Sequence, residues 1–325
     1  MTAPPKIIAT KGALTDEVFL RKIVVAVDLS PHSGATAQYA AEIARSFGAS
    51  LVLVHVYPVE QVNDFAGATG YEADERQRQA AERALQDLTE TLRESGQECE
   101  SVFLIGQPAA QVSAVASELG ADLIVTAIHH PSVLGQLFKW DQAPRIVHRA
   151  PCSVLVYHDA EGSPGGTLAR PEAARRLILA PVDLIAESAP ALEFAVTLAC
   201  RWDADLYVLH VFSTPESAAS SHYPHEVQGV EGYRQARSAK LQEWVSRLQS
   251  RHPRTYPLFE ADQSPVDCIQ QTSRQLRADL IVISAHNAQS GWSWFLPVSD
   301  VDGITRRAGQ PVLVFRRRET PGASR

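Results

Sequence analysis

The chain has 325 residues, 45% of them hydrophobic, and a formal net charge of −7. This length favours two domains, each large enough to bury its own core, and the negative charge argues against a nucleic-acid partner or an anionic membrane surface. No apolar run approaches the roughly 18 residues of a membrane span, and the first residues lack the apolar segment of a signal peptide. The four cysteines are scattered without CxxC spacing, which favours a reducing cytoplasm over a disulfide framework.

Short apolar runs alternate with amphipathic helical patterns along the first half. Strands that are apolar throughout belong in a parallel sheet covered on both faces, so the pattern predicts a doubly wound α/β domain with five parallel strands. In chain order, the predicted elements are strand 22–27, helix 33–47, strand 51–57, helix 71–95, strand 99–105, helix 109–119, strand 122–128, helix 138–149 and strand 153–157.

The second half repeats the first. Asp28 corresponds to Asp183 and His55 to His210, in both cases 155 residues later. ADLIV at 121 returns at 278, and SVLVY at 153 returns as PVLVF at 311. A repeat this long is a whole domain. The predicted divisions are an N-terminal arm at 1–20, a first domain at 21–158, a linker at 159–174, a second domain at 175–318 and a tail at 319–325.

The two copies are expected to pack as an intramolecular pseudo-dimer about a pseudo-two-fold axis, because related domains in one chain can reproduce an isologous contact. The last strands, 153–157 and 311–315, have apolar VLV cores and leave an edge that needs cover. A further homodimer of the whole chain stays open.

Several motifs together carry a family resemblance. VAVDLSPHS, LVLVHVY, QPAAQV, ADLIV followed by a histidine, and RAPCSVLVY are similar to a universal stress protein domain. PVDLIAES, LYVLHVF, ADLIVISAH and RRAGQPVLVF follow in the same order in the second half. The resemblance implies a tandem universal stress protein with two domains of the adenine nucleotide alpha hydrolase-like fold and a role in the stress response. It also implies that the two domains meet through their last strands, 153–157 and 311–315.

ATP-binding members of this family have Gly-x-x-Gly, nine residues, then Gly-Ser or Gly-Thr after the fourth strand, where backbone N–H groups approach the phosphates. In the first half these positions fall on Ala127, His130 and Trp140-Asp141. In the second half they fall on Ser284 and Asn287, or Ala285 and Ala288, and on Val298-Ser299. A tryptophan ring and a negative charge oppose phosphate binding, so we expect degenerate loops that do not bind ATP in the family manner.

The candidate ligand-binding residues lie at strand ends, because open parallel sheets bind ligands beyond the carboxyl ends of their strands. Asp28 and Asp183 resemble the family aspartate near adenine and ribose, with a helix N-cap or turn aspartate as the alternative. Any pocket is expected to be more open in the second half, where the replacing residues are smaller. The candidates are Asp28, Val56, Ala127, His129, Asp183, Val211, Ser284, His286 and Ser299.

The histidines suggest a metal hypothesis, because His55 could approach His129 and His130 and zinc accepts such ligands. Structural roles are favoured, since His55 and His129 have counterparts at His210 and His286. No catalytic residues are predicted, as the chain shows no Gly-x-Ser-x-Gly elbow, no nucleophilic cysteine with a paired histidine and no Walker lysine. We therefore expect no cofactor, neither ATP nor zinc.

The favoured function is a non-catalytic stress-response sensor or regulator, with an unknown small molecule or protein as partner. The alternatives are a metal-dependent hydrolase that uses His55, His129 and His130, and a carrier of an apolar acyl or lipid ligand. The segment with Trp292, Trp294 and Phe295 is expected to pack on the sheet, with a lid or docking patch as the alternative.

Overall fold

The computed structural model describes residues 20–58, 68–128, 142–158, 175–212, 229–261, 264–284 and 298–316. Strands and α-helices alternate along these ranges. In the first half they are β1 (Lys22–Ala26), α1 (Ser33–Phe47), β2 (Ser50–Tyr57), α2 (Ala68–Glu94), β3 (Cys99–Ile105), α3 (Pro108–Glu118), β4 (Leu123–Ile128), α4 (Ala143–Arg149) and β5 (Ser153–His158). In the second half they are β6 (Leu177–Pro181), α5 (Ala189–Trp202), β7 (Asp205–Phe212), α6 (Gly229–Gln249), β8 (Thr255–Ala261), α7 (Pro265–Leu276), β9 (Leu280–Ser284), α8 (Val298–Arg307) and β10 (Val312–Phe315).

The strands form one ten-stranded sheet in the order β3-β2-β1-β4-β5-β10-β9-β6-β7-β8. Neighbouring strands within each half are parallel. The order is the same from both ends when each strand is replaced by its counterpart in the other half. The predicted fold class, two tandem α/β domains with parallel sheets, is confirmed.

The two halves join where β5 pairs with β10 in the antiparallel direction. Leu155 lies opposite Leu313, its counterpart in the repeat. The flanking pairs, Val154 with Val314 and Val156 with Val312, exchange places under a two-fold rotation through this central pair. The contact predicted through the last strands is therefore confirmed, and each domain covers the other's apolar edge.

Aromatic side chains of α1 and α5 reinforce the junction. Phe47 stacks on Phe194 with ring centroids 6.3 Å apart, and Tyr39 meets Trp202 edge-on at 6.4 Å. These two pairs are equivalent in the repeat. Phe194 also lies 5.7 Å from Phe315. Such pairs contribute about 0.5–1.5 kcal/mol beyond the burial of their area, so the two halves share one packed core across the junction.

Most helix boundaries follow from local chemistry. α1 places Ala37, Ala40 and Ala44 against the sheet and ends at Gly48, whose φ of 68° is left-handed. α4 differs from the prediction because it begins at Ala143 rather than at 138, with Gln142 as its N-cap. Pro144 in its first turn explains this start, since proline lacks the N–H that a helix interior needs.

No helix in the described part of the chain is long and apolar enough to cross a membrane.

Candidate functional site

The fold brings the predicted strand-end residues together at one edge in each half. Asp28 directly follows β1. The strands on either side of β1 are β2, which has Val56 near its end, and β4, which has Ala127 near its end. Asp183, Val211 and Ser284 have the same arrangement on β6, β7 and β9. These edges are the points where the strand order reverses. His129, His130, Trp140, Asp141, His286 and the Trp292–Phe295 segment lie outside the described residues, as does the side chain of Ser299 in the first turn of α8.

Both aspartates close a turn directly after the first strand of their domain. The Oδ1 atom of Asp28 accepts hydrogen bonds from the Ser30 N–H at 3.0 Å and the Ser33 hydroxyl at 2.8 Å. Asp183 Oδ1 accepts from the Ile185 N–H at 3.2 Å and from the Ser188 hydroxyl. These are Asx-type turns. The turn alternative for these aspartates is therefore present in both halves, whereas the N-cap of α1 is His32.

The turns also hold a residue in a strained backbone conformation. Leu29 and Leu184, each directly after the aspartate, have φ values of 60° and 61°. A side chain with a Cβ rarely adopts this left-handed region. The hydrogen bonds to the two aspartates stabilise it, which accounts for the same turn in both domains.

The two histidines of the edge support the strand ends. The Nδ1 atoms of His55 and His210 lie 2.8 Å from the carbonyl oxygens of Val27 and Val182. A carbonyl only accepts, so Nδ1 carries the proton and donates it. Burial lowers the pKa of both histidines, to about 4 for His210. Both rings are therefore neutral at pH 7.

The metal hypothesis cannot be built from the described residues. His55 is buried with 8% exposure, and its ring lies 5.5 Å from that of Phe103. Its intended partners, His129 and His130, are outside the described ranges. Among the residues that the structure describes, no three His, Cys, Asp or Glu side chains converge on a possible metal position.

The second edge differs from the first in its charge. Arg237 of α6 donates to the Asp183 carbonyl at 3.3 Å, and its Nε and Nη2 donate to the Tyr233 hydroxyl at 2.9 and 2.6 Å. Lys240 lies one turn later in the helix. Its pKa is lowered by burial and by the nearby Arg237, and Asp183 acts on it in the opposite direction. The second site thus has one cation in contact with its aspartate turn and a second, Lys240, within range of electrostatic interaction with Asp183.

The first half has no such cations at the corresponding positions. The buried residues Leu85 of α2 and Leu241 of α6 align the two helices. This alignment places Ala81 opposite Arg237 and Ala84 opposite Lys240. Neither Arg237 nor Lys240 was among the residues predicted from the sequence. The signal was available, because Arg237 lies one turn before Leu241 on the buried stripe of the helix, where a charge is unusual.

The two aspartates differ in exposure. The difference is opposite to the one expected if the pocket of the second half were the more open one. Asp28 is exposed, whereas Asp183 is 7% exposed. Arg237 of α6 reaches the Asp183 turn and contributes to its cover, and the Tyr233 hydroxyl holds its guanidinium.

Comparison with known proteins agrees with the repeat and the fold. The family model described as "Universal stress protein family" matches residues 20–158 and again 174–316. A universal stress protein from Thermus aquaticus is 34% identical over 137 residues, which covers 42% of this chain and 97% of that protein. A universal stress protein A homologue from Coxiella burnetii is 32% identical over 138 residues, covering 42% and 94%. Each of these relatives corresponds to one half of the chain.

Solved structures resemble the tandem arrangement as a whole. A universal stress protein from Archaeoglobus fulgidus superimposes with a TM-score of 0.67 at 15% identity, covering 93% of this chain and 98% of that one. A putative universal stress protein from Pseudomonas aeruginosa gives 0.62 at 19% identity, covering 91% and 93%. Identity this low shows the shared fold only. Together with the two family matches, it follows that the chain belongs to the universal stress protein family and has two domains of that family in tandem.

Proposed function

We propose that this universal stress protein is a non-catalytic regulator in the stress response and that neither half binds ATP in the family manner. The observation that carries the proposal is the commitment of the edge side chains to their own backbone. Asp28 and Asp183 close turns, and His55 and His210 donate to strand-end carbonyls. Because both diverged domains keep the same hydrogen bonds, a structural role for these side chains is favoured over acid–base catalysis.

The missing phosphate loop is the basis for excluding ATP. Phosphate binding at such a loop needs close approach to backbone N–H groups and no adjacent negative charge. The first half has Trp140 and Asp141 at the critical position. One like-charge contact costs several kcal/mol, against about 8 kcal/mol for binding at a micromolar dissociation constant.

Isothermal titration of the full chain with Mg-ATP at physiological salt tests the ATP proposal. We expect no saturable binding below about 100 μM. A dissociation constant at or below about 10 μM, with a stoichiometry of one or two, would contradict it. The double replacement Trp140→Gly with Asp141→Ser restores the Gly-Ser pair of the family in the first half and leaves Ala127 and His130 in place. A gain of ATP binding in this variant would support the alignment of the loop.

A second candidate function is the binding of a small acidic ligand in the second half. The specific observation is the pair Arg237 and Lys240 beside Asp183, where the first half has alanines. The Arg237 guanidinium is already held by Tyr233, which leaves Lys240 as the cation for a phosphate or carboxylate. Titration with adenosine monophosphate tests this candidate. Lys240→Met should weaken binding by about tenfold, as expected for one lost charge-assisted contact, whereas Ala84→Ser should have no effect.

The two alternatives from the sequence are not carried forward. Nothing among the described residues favours a metal-dependent hydrolase or a carrier of an apolar ligand.

We also propose a cytoplasmic location. It is supported by four free thiols, of which Cys99, Cys152 and Cys268 are buried.

A further inference from the structure

The fourth thiol belongs to a pair that has no counterpart in the first half. Cys200, exposed in the last turn of α5, has its Sγ 3.7 Å from Nδ1 of His252. His252 lies in the turn between α6 and β8 and is 5% exposed. The two residues are 52 positions apart in the chain, so the fold rather than a local motif brings them together.

The histidine is held in one tautomer. Its Nε2 atom lies 2.8 Å from the carbonyl oxygen of Ala204. Since a carbonyl only accepts, Nε2 carries the proton and Nδ1 presents its lone pair to the thiol. The S–H group of Cys200 lies within donor distance of this nitrogen, at 3.7 Å, and of the Arg251 carbonyl oxygen, at 3.9 Å. Of these two acceptors, the imidazole is the one that can take up the proton, and its other nitrogen fixes the orientation of the ring. A thiol, a base and a group that orients the base are the parts of an activated nucleophile.

The surroundings leave the imidazole as the group that can accept the thiol proton. The C-terminal end of a helix carries partial negative charge, so the end of α5 does not stabilise a thiolate. Arg201 donates to the Ser46 carbonyl and lies over the Phe47 ring. Arg251 is paired with Glu193, and Arg254 with Asp203 and Asp205. Arg175 also lies 3.6 Å from Asp203. These charges offset one another around the pair.

The first half shows that the turn itself does not require a histidine. There, Gln97 donates from Nε2 to the Ala49 carbonyl at 2.9 Å, and Ala49 is the counterpart of Ala204. The position of Cys200 is occupied by Arg45. A glutamine thus makes the structural bond alone, and the second half adds both the base and the thiol.

We propose that Cys200 is a reactive thiol activated by His252 and that it exchanges with low-molecular-weight disulfides. The Sγ proton passes to Nδ1, and the thiolate attacks one sulfur of the disulfide. The S–S bond breaks, and the departing thiolate takes the proton from His252. The products are a mixed disulfide at Cys200 and one free thiol, and excess reductant reverses the exchange.

The test incubates the full chain with oxidised glutathione and follows the adducts by intact mass and peptide mapping. We expect a single adduct on Cys200 and none in Cys200→Ser. His252→Gln is the matched variant, because Gln97 shows that glutamine keeps the bond to the carbonyl. At pH 7 its reaction should be at least about tenfold slower than that of the native chain, with the two rates converging in strongly alkaline buffer, where hydroxide replaces His252 as the base.

Two results would overturn the proposal. Equal rates for the native chain and His252→Gln at pH 7 would show that Cys200 is only exposed, and a first adduct on Cys99, Cys152 or Cys268 would show that the wrong thiol was chosen. A second measurement needs no variant. At pH 7, Cys200 should react with iodoacetamide faster than free glutathione does, and an equal or slower rate would also contradict activation by His252.

Discussion

Replacing His210 by asparagine should make the free energy of unfolding depend less on pH in the acidic range. His210 is 5% exposed, and its Nδ1–H donates to the Val182 carbonyl at 2.8 Å. The Nδ2 of asparagine can reach the position of Nδ1, so His210→Asn keeps the donor and removes the titrating ring. The ring also lies 5.6 Å from that of Phe259. The variant should therefore be less stable than the native chain at pH 7 through lost packing alone.

The size of the acid effect follows from the pKa of His210, which burial lowers from 6.5 to about 4 in the folded chain. Between these two values the unfolded chain binds a proton that the folded chain does not. The stability that the neutral His210 ring contributes to the folded chain is therefore fully present above pH 6.5 and is lost as the pH falls towards 4. At about 1.4 kcal/mol per pH unit, the native chain loses about 3 kcal/mol of unfolding free energy through this one residue.

Urea unfolding followed by circular dichroism between pH 7.5 and 4 measures the effect. The stability advantage of the native chain over His210→Asn should shrink by about 3 kcal/mol across that range. The pKa of His55 is also lowered by burial, so His55→Asn should change the pH profile in the same direction. An advantage that stays constant from pH 7.5 to 4 would refute the reasoning.

Three further predictions each compare two positions, and in the first and third the two positions are equivalent in the repeat. Arg277 ends α7 at φ 54°, where the first half has Gly120 at φ 60°; Arg277→Gly should raise the urea midpoint by the equivalent of about 0.5–1 kcal/mol, and Gly120→Arg should lower it. Phe194→Ala should lower the unfolding free energy by about 3–5 kcal/mol in thermal unfolding, because the ring is 1% exposed between Phe47 and Phe315. The control Ile105→Ala, at a residue 48% exposed, should change it by less than about 0.5 kcal/mol. Similar losses at both positions would argue against a packed junction. Ser188→Ala should cost about 1–3 kcal/mol because it removes a donor from the buried Asp183, and a larger loss for Ser33→Ala, beside the exposed Asp28, would contradict this.

Local pattern was sufficient for most of the fold. The predicted helix 33–47 and strand 99–105 agree with α1 and β3, because hydrophobic period and turn residues act over a few neighbouring positions. The family resemblance added long-range information, because it implies a contact between the two apolar last strands of the duplicated domain. That is why the pairing of β5 with β10 could be predicted before the structure.

By itself, the sequence determined the two copies, their parallel sheets, their contact and the residues at the strand ends. The tertiary structure decided which distant side chains meet there. The packing of Leu241 and its neighbours on the sheet sets the rotation of α6, and that rotation directs Arg237 to the Asp183 turn. The return of the chain after α6 likewise places His252 against Cys200. Such contacts depend on the rotation and crossing of whole helices, which a pattern of a few residues does not fix.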